Sequence, residues 1–156
     1  MLYVGDVAPD FELPNQNDQP TRLSDFRGQR VVMFAFPMAG TPGCTSQACS
    51  FRDAFPQVEA QNAVILGISP DFTSSLRLWK RRQRLPYTLL SDADHDVLTA
   101  FGAWGIGDGI FQIPSVKRSY WVIDEHGVVV AMKIGVSPDN SVTEALAALN
   151  ALTTTP

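Results

Sequence analysis

Cys44 and Cys49 are the two cysteines of this 156-residue chain, and their surroundings make the first a candidate nucleophile. The stretch Pro37 to Gly43 holds two prolines and two glycines in seven residues, the composition of a loop. Thr41 suits a helix N-cap, and Pro42 suits the first helical position because its missing N–H would be unpaired there. Cys44 then falls in the first turn. Unpaired backbone N–H groups and the positive end of the helix dipole favour the thiolate there, and the thiolate is the reactive form of cysteine. The Thr41 hydroxyl is placed to cap the helix and to reach Cys44 or a bound oxygen. Gly40 and Gly43 let a small substrate come close to the backbone. A lone cysteine is more commonly an inert, buried, small hydrophobe. The helix-start position and the neighbouring Cys49 weigh against that here.

Cys49 lies five residues after Cys44. On an intact helix that spacing is about 500° of rotation and 7.5 Å of rise, which sets the two Cα atoms about 8.6 Å apart. Disulfides need Cα atoms within ~7 Å. Either the two thiols never pair, or the first turns unwind to let them. A helix start is the least costly place for such local unfolding.

The remaining elements read as an α/β chain with a mixed sheet. Phe11–Leu13 and Thr21–Leu23 flank a turn-rich segment and predict an N-terminal β-hairpin. Arg30 to Phe36 is an almost unbroken apolar, β-branched and aromatic run, the pattern of a strand covered on both faces. The helix holding Cys44 is expected to reach about Ala60, with Pro56 as a kink or break. A buried strand follows at Ala63–Ser69, so strand–helix–strand predicts a right-handed parallel crossover. A helix is expected over Asp71–Arg84, a strand over Tyr87–Leu90 and a short helix over Val97–Phe101. Ser115–Ile123 and Val128–Ile134 flank Asp124–Gly127 as a second hairpin. Ser141 with Glu144 is similar to a capping box opening a last helix that carries Val142, Leu146 and Leu149.

Composition bounds the function classes. Twelve basic and sixteen acidic residues leave a net charge of −4, which disfavours a general nucleic-acid or anionic-membrane binder. Hydrophobic residues are 45% and charged residues 18% of the chain, against a typical charged share of about 25%. The length and the absence of repeats or linkers predict one domain over 1–156. The longest apolar runs, Val31–Phe36 and Val128–Met132, are far short of the ~20 residues that span a bilayer. Met1 to Asp6 has no charged or apolar leader pattern, so the cytosol is the expected compartment. Two cysteines make no disulfide scaffold, and in a reducing compartment such a pair is more often catalytic or metal-binding.

The residues around Cys44 resemble a known family. Pro37-Met38-Ala39-Gly40-Thr41-Pro42-Gly43-Cys44 is similar to the peroxiredoxin active-site pattern P-x-x-x-T-x-x-C. The longer Thr41–Thr45, Ala48-Cys49 and Phe51-Arg52-Asp53 resemble the bacterioferritin comigratory, or Q-type, peroxiredoxins. Further matches run along almost the whole chain: Gly5–Phe11, Leu23–Gly28, Gly67-Ile68-Ser69, Leu90-Ser91-Asp92 and Arg118-Ser119. The resemblance implies a thioredoxin-like fold, a cysteine-based reduction of hydroperoxides, no cofactor, a thioredoxin-type donor and a monomer. By the same resemblance, Cys44 attacks the peroxide and becomes a sulfenic acid, and Cys49 resolves it as an intrachain Cys44–Cys49 disulfide. Thr41 hydrogen-bonds the thiolate and peroxide, Pro37 shields the pocket, and Arg118, on its strand, stabilises the charge. One departure stands out: Gln47 occupies the position where the Q-type pattern usually has Glu, which removes a negative charge from the helix face near Cys44.

Other features are weaker. Cys44, Cys49, His95 and His126 are the only Cys and His residues, and their spacing does not suit a closed zinc site. Asp92–Asp96 resembles a calcium loop, but Val97 and Ala103 stand where that loop needs Gly and Glu. Gly102, Gly105, Gly107 and Gly109 crowd one loop without a following Gly-Lys-Ser/Thr, so nucleotide binding is not expected. With Trp104, Ile106, Ile110 and Phe111 that loop is either an apolar lid or part of the core. Arg77, Lys80, Arg81, Arg82 and Arg84 surround Trp79. A solvated helix face fits them better than nucleic acid given the net charge, and docking of an acidic reductase is the third reading. A general disulfide oxidoreductase would carry C-x-x-C where this chain has C-x-x-x-x-C. A non-catalytic thioredoxin-like module would leave Cys44 unreactive.

Overall fold

The computed structural model describes residues 1–106 and 113–154. Its centre is a five-stranded sheet built around β3 (Arg30–Ala35). On one side β3 pairs in parallel with β4 (Ala63–Ser69), which pairs in parallel with β5 (Thr88–Ser91). On the other side it pairs antiparallel with β8 (Ser119–Ile123), which continues to the edge strand β9 (Val129–Ile134). The expected mixed sheet is therefore present, with the parallel crossover on one side and the late hairpin on the other. The N-terminal hairpin pairs β1 (Glu12–Pro14) with β2 (Pro20–Arg22), and a 3-10 turn at Leu23–Phe26 follows it.

Alternation along β3 explains why it reads as continuously apolar. Val32, Phe34 and Phe36 face one core, and Val31, Met33 and Ala35 face the other. The first core is closed by α1 (Pro42–Glu59), α2 (Thr73–Gln83) and α4 (Pro138–Thr154). Phe34 stacks on Phe51 of α1 with ring centroids 4.6 Å apart. Phe36 packs on Trp79 of α2 at 5.0 Å. The second core lies under the N-terminal segment and α3 (Asp96–Ala100) and includes Phe101 against Trp121. Asp92, buried beneath α3, accepts a hydrogen bond from the Leu98 N–H at 2.7 Å.

Four local expectations are revised. α1 runs through Pro56 without a break, because the proline removes a single N–H in a helix held by tertiary packing. The region Ser115–Ile123 is not one strand. β7 (Pro114–Val116) pairs with β6 (Trp104–Ile106), and the link Lys117-Arg118 precedes β8. Arg118 therefore sits in a connection, not on a strand. α4 starts at Pro138, so Ser141 is already inside the helix, where its hydroxyl donates to the Pro138 carbonyl. Glu144 makes no capping box; it accepts from the Tyr120 hydroxyl and pairs with Lys133. In the glycine-crowded segment, Trp104 is in β6 and stacks on His95, while Gly107, Gly109, Ile110 and Phe111 lie outside the described residues.

Gly67 on β4 is closely packed within the first core. A Cβ there would meet Leu89 Cδ2 at 2.8 Å and Phe34 Cζ at 3.1 Å. Gly67→Ala should cost about 1–3 kcal/mol by overpacking, read as a lower denaturant midpoint at unchanged slope.

Candidate active site

The first turn of α1 is aimed at the site by the end of β3. After Phe36 the chain leaves the sheet at Pro37, which is half-buried, and bends at Gly40 with φ of +87°. The loop is tied down from the neighbouring strand. Asp71 Oδ2 accepts from the Ala39 N–H at 2.8 Å and from the Ser69 hydroxyl at 2.7 Å. Thr41 then takes the extended backbone of an N-cap, with Pro42 as the first helical residue. Its side chain does not cap the helix: the hydroxyl donates to the Met38 carbonyl at 2.7 Å. The hydroxyl proton is directed to the loop here, and Thr41 stabilises the bend leading into α1.

Cys44 is the third residue of α1 and only 1% exposed. Its main polar neighbour comes from the opposite side of β3. Ala35 lies directly across from Ser119 in the antiparallel register, so Arg118 is held level with the loop that follows β3. Arg118 Nη2 reaches the Cys44 sulfur at 3.5 Å. Gly43 adjoins this contact: a Cβ on it would come within 3.1 Å of Arg118 Nη2 and would push the guanidinium back by a few tenths of an ångström.

Gln47, one turn further along α1, is fully buried. It accepts from Arg118 Nη1 at 2.7 Å through Oε1 and donates from Nε2 to Ser141 Oγ on α4 at 3.0 Å. The Ser141 proton is already given to Pro138, so Ser141 presents a lone pair and selects the amide NH2 group. That fixes the amide carbonyl toward Arg118. No carboxylate among the described residues lies within ion-pair distance of Arg118. The guanidinium thus faces the sulfur without an ion-pair partner among the described residues.

Cys49 is half-buried on α1 and free, as is Cys44. Its thiol donates to Gln83 Oε1 at the end of α2, at 3.5 Å. The structure thus brings Cys44, Gly43, Gln47 and Arg118 together, with Thr41 and Pro37 shaping the loop, and turns Cys49 toward α2. Asp71, Ser141 and Pro138 were not legible as site residues. Asp71 read as a helix start, and the other two act only because α4 packs on the first turns of α1. Among the described residues, no group of three His, Cys, Asp or Glu side chains could hold a metal ion.

Residues 4–132 match the model of the AhpC/TSA family. The chain belongs to that family. Peroxiredoxin Bcp of Escherichia coli is 45% identical over 104 residues, which is 67% of this chain and 67% of that protein. The crystal structure of peroxidoxin BcpB from Mycobacterium tuberculosis is 37% identical, with a TM-score of 0.87 over 97% of this chain and 99% of that one. The bacterioferritin comigratory protein of Xanthomonas campestris, described for its alkyl peroxide reduction activity, is 26% identical. It superposes with a TM-score of 0.89 over 98% of both chains. The fold is that of the thioredoxin-like peroxiredoxins, and this peroxiredoxin is a thiol-dependent peroxidase of the bacterioferritin comigratory, or Q-type, branch.

In this peroxiredoxin the neutral Gln47 leaves Arg118 free to act on the sulfur. Gln47→Glu should pair Arg118 with a carboxylate at Gln47's distance and also set that carboxylate against the Ser141 lone pair. The pH midpoint of Cys44 alkylation should then move upward relative to the parent; an unchanged or lower midpoint would separate Arg118 from the reactivity of Cys44.

Proposed function

We propose that this enzyme reduces hydrogen peroxide and organic hydroperoxides through Cys44, acting as a single domain and a monomer in the cytosol. The observation that carries the reading is Arg118 Nη2, 3.5 Å from a buried sulfur in the first turn of a helix. A buried sulfur can take negative charge only where that charge is compensated. The guanidinium and the free N–H groups of the helix start supply the compensation. The alkyl peroxide reduction activity described for the Xanthomonas campestris relative extends the substrate class to organic hydroperoxides. Met38, Ala39 and Gly40 beside the site are consistent with apolar ones.

In the first step the Cys44 thiolate attacks the terminal peroxide oxygen. The S–O bond forms as the O–O bond breaks, and the leaving alkoxide or hydroxide takes up a proton to depart as alcohol or water. Arg118 stabilises the charge that moves from sulfur to the leaving oxygen. In the second step the Cys49 sulfur attacks the Cys44 sulfenic acid, water leaves, and an intrachain disulfide remains. A dithiol donor of the thioredoxin type returns both cysteines to thiols. Formation of the disulfide requires α1 to unwind between the two residues, since an intact helix holds their Cα atoms about 8.6 Å apart.

Mixing reduced protein with hydrogen peroxide in a stopped-flow instrument tests the reading. Fast, stoichiometric oxidation ending in one intrachain disulfide is expected; a rate no greater than that of a free thiol refutes it. Arg118→Gln should slow this first oxidation by about 10²–10³-fold, the usual scale for one lost charge-stabilising donor. With Cys49→Ser the first oxidation should survive, the sulfenic acid should persist, and thioredoxin-linked turnover should collapse. Undiminished turnover would mean that a different thiol resolves Cys44.

A further inference from the structure

Half of the chain's twelve cations lie on two adjacent segments: Arg52 on α1, and Arg77, Lys80, Arg81, Arg82 and Arg84 on and just after α2. No acidic residue occurs between 72 and 91, while the chain as a whole carries sixteen. The charge is therefore strongly polarised over the surface despite the net −4. Not every cation in the group is available. Arg77 pairs with Asp18 at 3.1 Å, Arg52 pairs with Asp53 at 3.1 Å, and Lys80 turns inward to donate to the Leu85 and Tyr87 carbonyls. Arg81, Arg82 and Arg84 remain as exposed outward charges.

Arg82 borders an apolar patch, and Arg81 and Arg84 lie on the adjoining face of α2, beside Gln16 and Asn17. Leu78 on α2 is 48% exposed, Phe72 just before α2 is 72% exposed, and Met38 in the loop before α1 is 57% exposed. Leu78, Trp79 and Arg82 line one side of a 180 Å³ groove whose other side is Ala39 and Gly40. The Asp71–Ala39 hydrogen bond fixes the loop against the segment that begins α2. The same helix ends at Gln83, whose side chain accepts from Cys49 and whose carbonyl accepts from Arg52. One continuous surface thus runs from the loop before Cys44 to the side chain of Cys49, with an apolar centre and a cationic margin. That is the anatomy of a transient protein interface. Because α2 lies outside the segment between the two cysteines, its charges stay in place when that segment rearranges.

We infer that the outer face of α2, with Met38 to Gly40, is the docking surface for an acidic dithiol protein that reduces the Cys44–Cys49 disulfide. The inference rests on the peroxidase cycle proposed above. Charge complementarity selects the occupant: a cationic margin attracts an acidic partner and repels the same face of a second copy of this chain. Docking presents the disulfide to the donor. The donor thiolate attacks one enzyme sulfur, the other leaves as thiolate, and the donor's second thiol breaks the mixed disulfide. Two electrons and two protons pass to the enzyme, and the donor becomes the disulfide.

The test uses the full-length enzyme and an Arg81→Glu/Arg82→Glu/Arg84→Glu variant. Reduction of the disulfide is timed with a thioredoxin of acidic net charge, with one of basic net charge, and with dithiothreitol, each across a salt series. The variant should lose about 10-fold or more in second-order rate with the acidic donor, and the salt dependence should flatten. It should gain with the basic donor and be unchanged with dithiothreitol. Equal slowing with all three reductants, or no slowing with the acidic donor, overturns the assignment. The second result leaves the face to another copy of this chain or to nucleic acid, which sedimentation and a duplex-oligonucleotide titration read directly. Absence of dithiothreitol-driven peroxide turnover in the unmodified enzyme would instead reject the proposed cycle.

Discussion

The contact between the Arg118 guanidinium and the Cys44 sulfur is the interaction on which the rest of this structure depends. A sulfur with almost no solvent exposure is a poor place for negative charge unless a cation and polar N–H groups replace water. Both are supplied by the fold. The loop after β3 ends in the N-terminus of α1, and the antiparallel register of β8 against β3 carries Arg118 to the same level from a residue 74 positions later. Gly43 leaves room for the guanidinium, and Gln47 holds its other nitrogen without neutralising it. The two-sided core along β3 is what keeps both arms of this arrangement in register, because a slip of one residue would send Val32, Phe34 and Phe36 to the opposite face.

The elements were legible where local pattern and tertiary role agree. The apolar run Arg30–Phe36 has to be a doubly covered strand, and Thr41-Pro42 has to open a helix, whatever surrounds them. The reading failed where a local rule was satisfied by a different partner. Ser141 and Glu144 have the spacing of a capping box, yet α4 begins earlier, at Pro138. The serine is used to accept from Gln47, and the glutamate pairs with Tyr120 and Lys133. Thr41 has the type of a side-chain cap, but Met38 offers its carbonyl at hydrogen-bond distance, and Thr41's single proton goes there. Arg118 was found only through family resemblance. No local pattern links it to Cys44, because the link is a sheet register between distant strands.

The same arrangement sets a barrier on the proposed cycle. The segment between Cys44 and Cys49 is held by more than its helical hydrogen bonds. Trp79 donates to Thr45, Gln47 bridges Arg118 and Ser141, the buried Tyr87 hydroxyl donates to the Ala48 carbonyl, and Cys49 donates to Gln83. Each such bond is worth about 0.5–1.5 kcal/mol net, so unwinding this turn costs several kcal/mol before the disulfide forms. Those bonds are unevenly distributed in their consequences. In the proposed cycle the Gln47 bridge holds Arg118 during the first step and lies within the segment that rearranges in the second. Tyr87 and Trp79, by contrast, anchor α1 to the β5 and α2 side and do not touch Arg118. Neutral Gln47 is the milder choice at this point: a carboxylate would strengthen the tie to Arg118 while weakening the field on the sulfur, working against both steps at once.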